Sequence, residues 1–549
     1  MPSASFKDVN FTAVFMRPFN SAGSAGSWAF VSTFIWMFAA HLYRWMNGLL
    51  VSHDSLLLNQ SLDVLQEISL GRFLQPLYLF IRGDAAAPFL IGILGSIFVA
   101  AAVFVLGKMF ELGKPIYIVL ISGVLSANTT LALLNATYIN WFDIYMLAML
   151  TSVLAGWLWS KKGLRNYLLG SVFLFFSLAL YQSYIQTFLA VLLIFLIREC
   201  LCGVPLKAIW KHVCGALIVL VLAAILYVIG TWVAVSIANI SLSQDTNGIE
   251  GIGDFARISK KNLLLGAYTL PFQLLTFPET RYVAVSGLIN IIISVFTLIG
   301  IGRILTKNRA VLPRIAMAIF LIFLFPLAID CTFILAKGIV HGLMFYSFSF
   351  LYLLFFVVLD LNLNHPFPTP SISRTPRIPN KVLSLAVKAG VPVAIGILCI
   401  SNIIYSNDIY LKKDLEAQST LSTMTRILDR VEQVDGYIPG ETKVVFVGWF
   451  AGSEYLTVDR SFLFPDFSYP PIWKGPKNAR EIGLGSNMSV TYPQTLQSYI
   501  DNIIGCNIEV ADENTIAWYA SLEDVQRMDS FPAKNSCQMI GKCVVVKLD

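Results

Sequence analysis

PFLIGILGSIFVAAAVFVLG, residues 88–107, runs for twenty positions without a charged side chain. A hydrocarbon core about 30 Å thick is crossed by a helix of about 20 apolar residues. A helix suits that medium because it satisfies its own backbone N–H and C=O groups. The stretch therefore reads as a membrane span, and the same ruler finds ten more. They lie near 28–48, 115–136, 141–160, 166–182, 184–198, 214–235, 282–302, 312–330, 339–360 and 382–402. The run from Asn166 to Ile197 is too long for one crossing and short for two, so Tyr181-Gln182-Ser183-Tyr184 is read as a tight turn near one face.

Composition agrees with that reading. Of 549 residues, 56% are hydrophobic and 13% charged, against about 25% charged in soluble domains. The net charge of +6 is mild, and no basic tail or aromatic-basic patch points to nucleic acid. Residues 1–27 carry Lys7 and Arg17, and the apolar run after them is too long for a signal-peptide core, so it is read as a retained helix. Lysine and arginine set the orientation. With the N-terminus inside, seventeen fall on inside segments and seven on outside loops. The expected architecture is a polytopic α-helical membrane protein of about eleven transmembrane helices, N-terminus in and C-terminus out.

Three regions follow from this. Residues 1–27 form a cytoplasmic segment, 28–402 a transmembrane domain with outer loops 49–87 and 236–281, and 403–549 a small extracytoplasmic α/β domain. In the last region, Leu411, Leu415, Met424, Ile427, Leu428, Val431 and Val434 recur at near-helical spacing. Val444-Val445-Phe446-Val447 and Cys543 to Leu548 read as strands, and a helix near 492–504 stops at Gly505. The linker 362–381 is rich in Pro and Ser and basic, as a connector lying on anionic lipid would be. Eight cysteines are present. Outside the cytoplasm disulfides persist, so Cys537 and Cys543, flanking a plausible hairpin turn, are candidate partners; Cys506 with either, or three free thiols, are the alternatives.

The chemistry is sought between the first two spans, at SHDSLLLNQSLDVLQEISLGRFLQPLYLFIR, residues 52–82. Asp54 can accept a proton from a hydroxyl in hydrogen-bond reach, or cap a helix beginning just after it. His53 is a neighbour of that acid or a surface group. Asp63 and Glu67, at i and i+4, read as a solvated face, with metal binding the lesser alternative. Arg72 offers a bidentate fork to a phosphate, or reaches to lipid head groups. His41 and Arg44 lie near the end of the first span; a structural role is expected, with Arg44 shallow enough to snorkel. In the turn Asn135 to Asp143, Asp143 begins a helix, where negative charge is favoured, and Tyr138 and Trp141 are read as interfacial aromatics. Gln182 donates to a sugar or only closes its turn. The first half of loop 236–281 carries Gly248, Gly251 and Gly253, which form no nucleotide fingerprint, and Arg281 at the end of the loop is a second phosphate candidate. No Walker motif, serine-centred nucleophile elbow or His-Glu-x-x-His is present, which argues against an ATP-driven pump and a metalloprotease.

Ser52-His53-Asp54-Ser55, Gly71-Arg72-Phe73 with Pro76-Leu77-Tyr78, the Asp143 region, the Tyr181-Gln182-Ser183 turn and the closing Val-Val-Lys-Leu strand together resemble a known group. It is the polytopic glucosyltransferases of the serotype-conversion type, which modify O-antigen or other surface glycans with a C-type glycosyltransferase architecture. The resemblance implies transfer of a hexose, glucose by that analogy, from polyprenyl phosphate (commonly undecaprenyl phosphate) to a lipid-linked or surface glycan. The reaction would run on the periplasmic face of a bacterial inner membrane. It carries the base onto Asp54. Family members often show two adjacent acids there; this chain has His53 before Asp54, which brings Glu67 and Asp143 in as catalytic candidates. Arg72, His53, Tyr138, Gln182 and Arg281 are the substrate-binding candidates. No cofactor is implied, and a divalent metal is compatible but not indicated. The rival reading is a transporter or flippase for lipid-linked glycans, which would show internal repeats and ionisable groups near the membrane midplane.

Overall fold

The computed structural model describes residues 22–48, 64–83, 87–243, 260–278, 280–308, 310–338, 340–364, 380–448, 490 and 492–548. Its helices are α1 (Ala22–Met46), short α2 (Val64–Ser69) and α3 (Leu74–Arg82), α4 (Pro88–Met109), α5 (Pro115–Ser126), α6 (Thr129–Thr137), α7 (Phe142–Ser160), α8 (Leu164–Leu180) and α9 (Ile185–Leu201). They continue as α10 (Leu206–Ala238), α11 (Lys260–Thr276), α12 (Val283–Lys307), α13 (Leu312–Ile329), α14 (Cys331–Leu335), α15 (Phe350–Asn364) and α16 (Asn380–Glu432). Among the described residues nine helices are long and apolar enough to cross a membrane. The pair α5 and α6, bent by 42°, makes a tenth, and α8 is a shorter apolar helix. The protein is thus a multi-pass membrane protein, with a crossing count nearer nine or ten than eleven by this measure.

Close packing explains where glycine is needed. A Cβ on Gly92 would sit 2.2 Å from the Trp45 ring, and one on Gly95 would sit 2.2 Å from the Phe142 ring. Small residues let α4 press between α1 and α7, which is how helices associate where lipid offers no hydrophobic drive. The break between α5 and α6 frees carbonyls that hydrocarbon cannot satisfy. Side chains far away in sequence do so instead. Tyr346 Oη donates to the Leu125 carbonyl at 2.9 Å, and Asn402 Nδ2 donates to that of Ala127 at 3.0 Å. Asn128 caps the new helix, accepting from Leu131 N at 3.0 Å.

Polar contacts tie the connections at each end of the bundle. At one end Gln75 Nε2 donates to Leu180 O at 2.6 Å and Gln182 Nε2 to Leu70 O at 2.8 Å. At the other, Arg314 donates to Gly203 O and Asn308 to Leu201 O, both at 2.9 Å. The first of these ends carries residues 64–83 and the turns at 138–141 and 182–184.

The final helix differs from the expected pattern. The apolar stretch 382–402 and the amphipathic stretch 411–434 are one helix, because no glycine or proline falls between Gly396 and Gly436. Its qualifying part, Gly390–Glu432, has 43 residues, or about 65 Å at 1.5 Å per residue, about twice the hydrocarbon thickness. Its far end packs on a sheet of β1 (Lys443–Val447), β2 (Glu509–Val510), β3 (Cys537–Ile540) and β4 (Cys543–Lys547), in the order β2-β1-β4-β3. Between β1 and β2 lies α17 (Pro493–Tyr499); after β2 come α18 (Glu513–Ala520) and α19 (Glu523–Gln526). Strand periodicity splits the buried residues between two faces. Val444, Phe446, Val544 and Val546 meet Met424, Ile427, Leu428 and Val431 of α16. Val445, Val545 and Cys543 meet Tyr519 and Val525 on the opposite face. Following α17, the chain makes a wide turn and stops at Gly505, whose φ of +76° a glycine adopts without strain.

The candidate disulfide is corrected by this register. β3 and β4 pair antiparallel with Cys537 opposite Val546 and Cys543 opposite Ile540. An offset of three residues puts the two sulfurs on opposite faces of the sheet, Cys537 with one core and Cys543 with the other. A disulfide cannot pass through a strand, and both cysteines are free, as is Cys506. Burial also pushes the Cys537 thiol up to about 11, leaving little thiolate at neutral pH. Mass spectrometry after alkylation should therefore find no Cys537–Cys543 linkage. Cys537 should label at pH 7 only once the protein is denatured; a bridged peptide would overturn the strand register.

Candidate active site

The sequence Gln-Pro-Leu-Tyr-Leu-Phe-Ile-Arg makes α3 short and amphipathic, with Gln75 and Leu79 buried. Helix α3 ends at Gly83, whose φ of +79° closes it. This places Arg82 against the start of α7. Arg82 Nη1 lies 2.7 Å from Asp143 Oδ1 and donates to Asn140 O at 3.1 Å. Tyr78 Oη donates to Asp143 Oδ2 at 2.8 Å, and Ile144 N donates to Oδ1 at 3.0 Å. The Arg82 and Asp143 side chains are 2% and 0% exposed. A buried ion pair must satisfy its remaining hydrogen-bonding capacity to offset desolvation, and here both carboxylate oxygens are engaged. The arrangement makes Asp143 the anchor that joins α3 to α7.

A second pair lies nearby. Gly71, with φ +79°, ends α2 and turns the chain so that Arg72 reaches back to Glu67. Arg72 Nη1 and Glu67 Oε2 are 3.1 Å apart, and the guanidinium lies 4.9 Å from the centre of the Tyr181 ring. Burial works against the Arg72 charge, but the Glu67 carboxylate and the hydroxyls of Tyr145 and Tyr181 outweigh it, so the guanidinium's pKa is raised. Tyr145 stacks on Tyr181 at 4.1 Å, and Tyr184 bridges Tyr181 and Tyr346 at 5.9 and 6.0 Å. Tyr138 meets Trp141 edge-on at 5.6 Å.

Several buried polar atoms around these rings lack partners. The Asn140 amide has neither its nitrogen nor its oxygen bonded, and Trp141 Nε1 and Tyr184 Oη are likewise unpaired. Each such atom costs about 1–3 kcal/mol of desolvation. Unpaired donors and acceptors beside flat aromatic faces are the chemistry that a hydroxyl-rich ring would satisfy.

Asp54 and His53 lie outside the described residues, as does Asp63. Glu67 does not sit on a solvated face: it is buried, because Arg72 neutralises it. Glu67, Arg72, Tyr138, Gln182 and Asp143 all belong to the same end of the bundle. The Gln182 amide is already used, donating to Leu70 O and to Tyr227 Oη at 2.8 Å each, so it holds its turn in place. Arg281 pairs with Asp408 of α16 at 3.2 Å. Arg44 does not snorkel; it is fully buried and donates to Asn135 O and Asn47 O at 2.9 Å each. Among the described residues no three His, Cys, Asp or Glu side chains cluster as a metal site.

Sequence reasoning passed over Arg82, Tyr78, Asn140, Tyr145 and Tyr184 as site residues. It also missed Asp330, a fully buried acid whose two carboxylate oxygens have no partner. A lone carboxylate in the apolar run 312–340 was the signal available for it, since such residues in spans are functional candidates by default.

Comparison with known families finds a match. The family described as Glucosyl transferase GtrII matches residues 46–359, more than half of the chain, from the end of α1 into α15. It is the group that the sequence motifs resemble. No curated protein and no solved structure matches. The buried anchor makes a prediction of its own. Arg82→Met or Asp143→Leu alone should destabilise the detergent-solubilised protein by about 3–5 kcal/mol, since each leaves a buried charge unpaired. The double variant should lose less than the sum, read as unfolding midpoints in a double-mutant cycle. Additive losses would sink the anchor assignment.

Proposed function

The chain belongs to the glucosyl transferase GtrII family, and on that premise we propose that it moves glucose from a polyprenyl-phosphate carrier to a surface glycan such as O-antigen. The carrier is undecaprenyl phosphate, and the biological outcome is serotype conversion. The reaction runs on the periplasmic face of a bacterial inner membrane, with the N-terminus inside and the C-terminal sheet region outside. The excess of lysine and arginine on the opposite connections supports that orientation.

In this reading an acceptor hydroxyl attacks the anomeric carbon of the donor. The new C–O bond forms as the carbon–phosphate oxygen bond breaks, and the lipid phosphate leaves with the electron pair. Asp54 takes the hydroxyl proton. Arg72, with Glu67 behind it, faces the developing phosphate charge, and His53, next to Asp54 in sequence, is a substrate-binding candidate. Asp143 acts through Arg82, holding the floor of the site. The observation that carries the proposal is the set of unpartnered buried atoms on Asn140, Trp141 and Tyr184 beside the stacked Tyr145 and Tyr181, within the matched stretch. A donor already linked to lipid needs no nucleotide site.

The test is transfer by the purified protein in vesicles, supplied with undecaprenyl-phosphate glucose and lipopolysaccharide. Asp54→Asn should lower kcat by about 10²–10⁴, the range for loss of a general base, with KM little changed. Equal turnover by wild type and variant would end the base assignment. Failure of the wild type with every lipid-linked sugar would end the proposal as a whole.

A further inference from the structure

A cavity of about 520 Å³ lies between α11, α12, α13, α15 and α16, beside the break of α5 and α6. Its walls include Leu133, Phe272, Leu298, Phe345 and Leu398, with Asn290 and Ser294 among the polar members. Among the described residues no acidic, basic or histidine side chain lines it. The Asn290 amide is already satisfied, donating to Leu275 O at 3.0 Å and accepting from Tyr352 Oη at 2.7 Å. The cavity therefore has the volume of a ligand pocket and, among the described residues, no side chain in it to hold a charge.

Its surroundings identify the occupant. Phe272 and Leu298 line the cavity and are also 66% and 54% exposed. Leu298 belongs to a membrane-crossing helix, so the surface it shows is turned to hydrocarbon and the cavity opens sideways into the bilayer. A ligand that enters there is itself apolar. Thr280 lines the cavity near one end, and the next residue, Arg281, keeps 31% of its side chain exposed while paired with Asp408, itself 23% exposed. Arg72 and Arg82 are far more buried against their carboxylates, at 12% and 2%. A partly exposed guanidinium one residue along the chain from the lining of an apolar membrane cavity fits one molecule well: a hydrocarbon chain ending in a phosphate.

We propose that this cavity holds the isoprenoid chain of the donor, with Arg281 exchanging Asp408 for the donor's phosphate. The inference rests on the reading of the protein as a polyprenyl-phosphate-dependent transferase and adds the place and direction of the lipid. Two experiments keep it apart from that reading. The first is kinetic. Ser294→Trp, which fills the cavity, should raise KM for undecaprenyl-phosphate glucose about tenfold or more, while KM for the short citronellyl-phosphate glucose stays within about twofold and kcat is unchanged. Equal effects on both donors, or none on either, overturn the cavity assignment although transfer itself persists.

The second experiment needs no turnover and uses the wild-type protein in phosphatidylethanolamine–phosphatidylglycerol vesicles. An undecaprenyl phosphate carrying a diazirine in its chain should, on illumination, label peptides containing Phe272, Leu298 or Phe345. Arg281→Ala should reduce that labelling, and citronellyl phosphate should compete weakly. Labelling confined to the lipid-facing side of α10, or abolished by raising phosphatidylglycerol alone, overturns the proposal; the second outcome would make the cavity an ordinary phospholipid site.

Discussion

Arg82 and Asp143 meet 2.7 Å apart with almost no solvent on either side chain, and the loop end of the bundle is built around that pair. Two charges taken out of water need further hydrogen bonds to offset their desolvation. Tyr78 and the Ile144 N–H supply those of Asp143, and the Asn140 carbonyl takes a further guanidinium proton. That requirement dictates where α3 lies and how the 139–141 turn is shaped. It also settles the roles of the neighbours. The Asn140 carbonyl is committed to the anchor while its side chain is left unpaired. An ion pair whose carboxylate is fully engaged thus supports a set of unpaired polar atoms, and the latter are the ones free to meet a ligand.

The apolar ruler needs only composition, so the positions of the spans could be read directly. What it could not show was where a span breaks. The turn at Ala127-Asn128 survives because Tyr346 and Asn402 donate to the freed carbonyls, and those donors lie more than two hundred residues away in sequence. The fusion of the last span with the amphipathic stretch was legible in principle, since no helix breaker separates them, but the change from apolar to charged composition concealed it. Parity misled in the sheet. Cys537 and Cys543 flank a turn and look like partners, yet an odd offset across an antiparallel pair sends two side chains to opposite faces.

The candidate site was legible in its chemistry more than in its pairings. Arg72 and Glu67, five residues apart, could be seen as charges, but only the left-handed Gly71 brings them into contact and buries them. Arg82 and Asp143 are separated by sixty-one positions, and no local pattern links them. The tyrosines at 145, 181 and 184 looked like ordinary span and interface residues. Their meaning comes from stacking across α7 and the 182–184 turn, which is a property of packing and not of spacing.

The bend between α5 and α6 does more than break a helix. Asn128 caps α6 and lines the apolar cavity. At the far end of the same helix lie Asn135, whose side chain accepts from Trp45 Nε1 at 2.8 Å, and then Tyr138 beside Trp141. α6 has nine residues, about 14 Å at 1.5 Å per residue. One short helix therefore separates the apolar cavity from the stacked tyrosines and the unpaired Asn140 amide. The proposed reaction, which would join a lipid-borne group to a water-borne acceptor, needs both environments within one substrate's reach. An unbroken span in place of α5 and α6 would lose the cap at Asn128 and the carbonyls that Tyr346 and Asn402 hold. Those contacts fix the cavity wall and, through Tyr346 beside Tyr184 at 6.0 Å, the tyrosine cluster, so both depend on the same break.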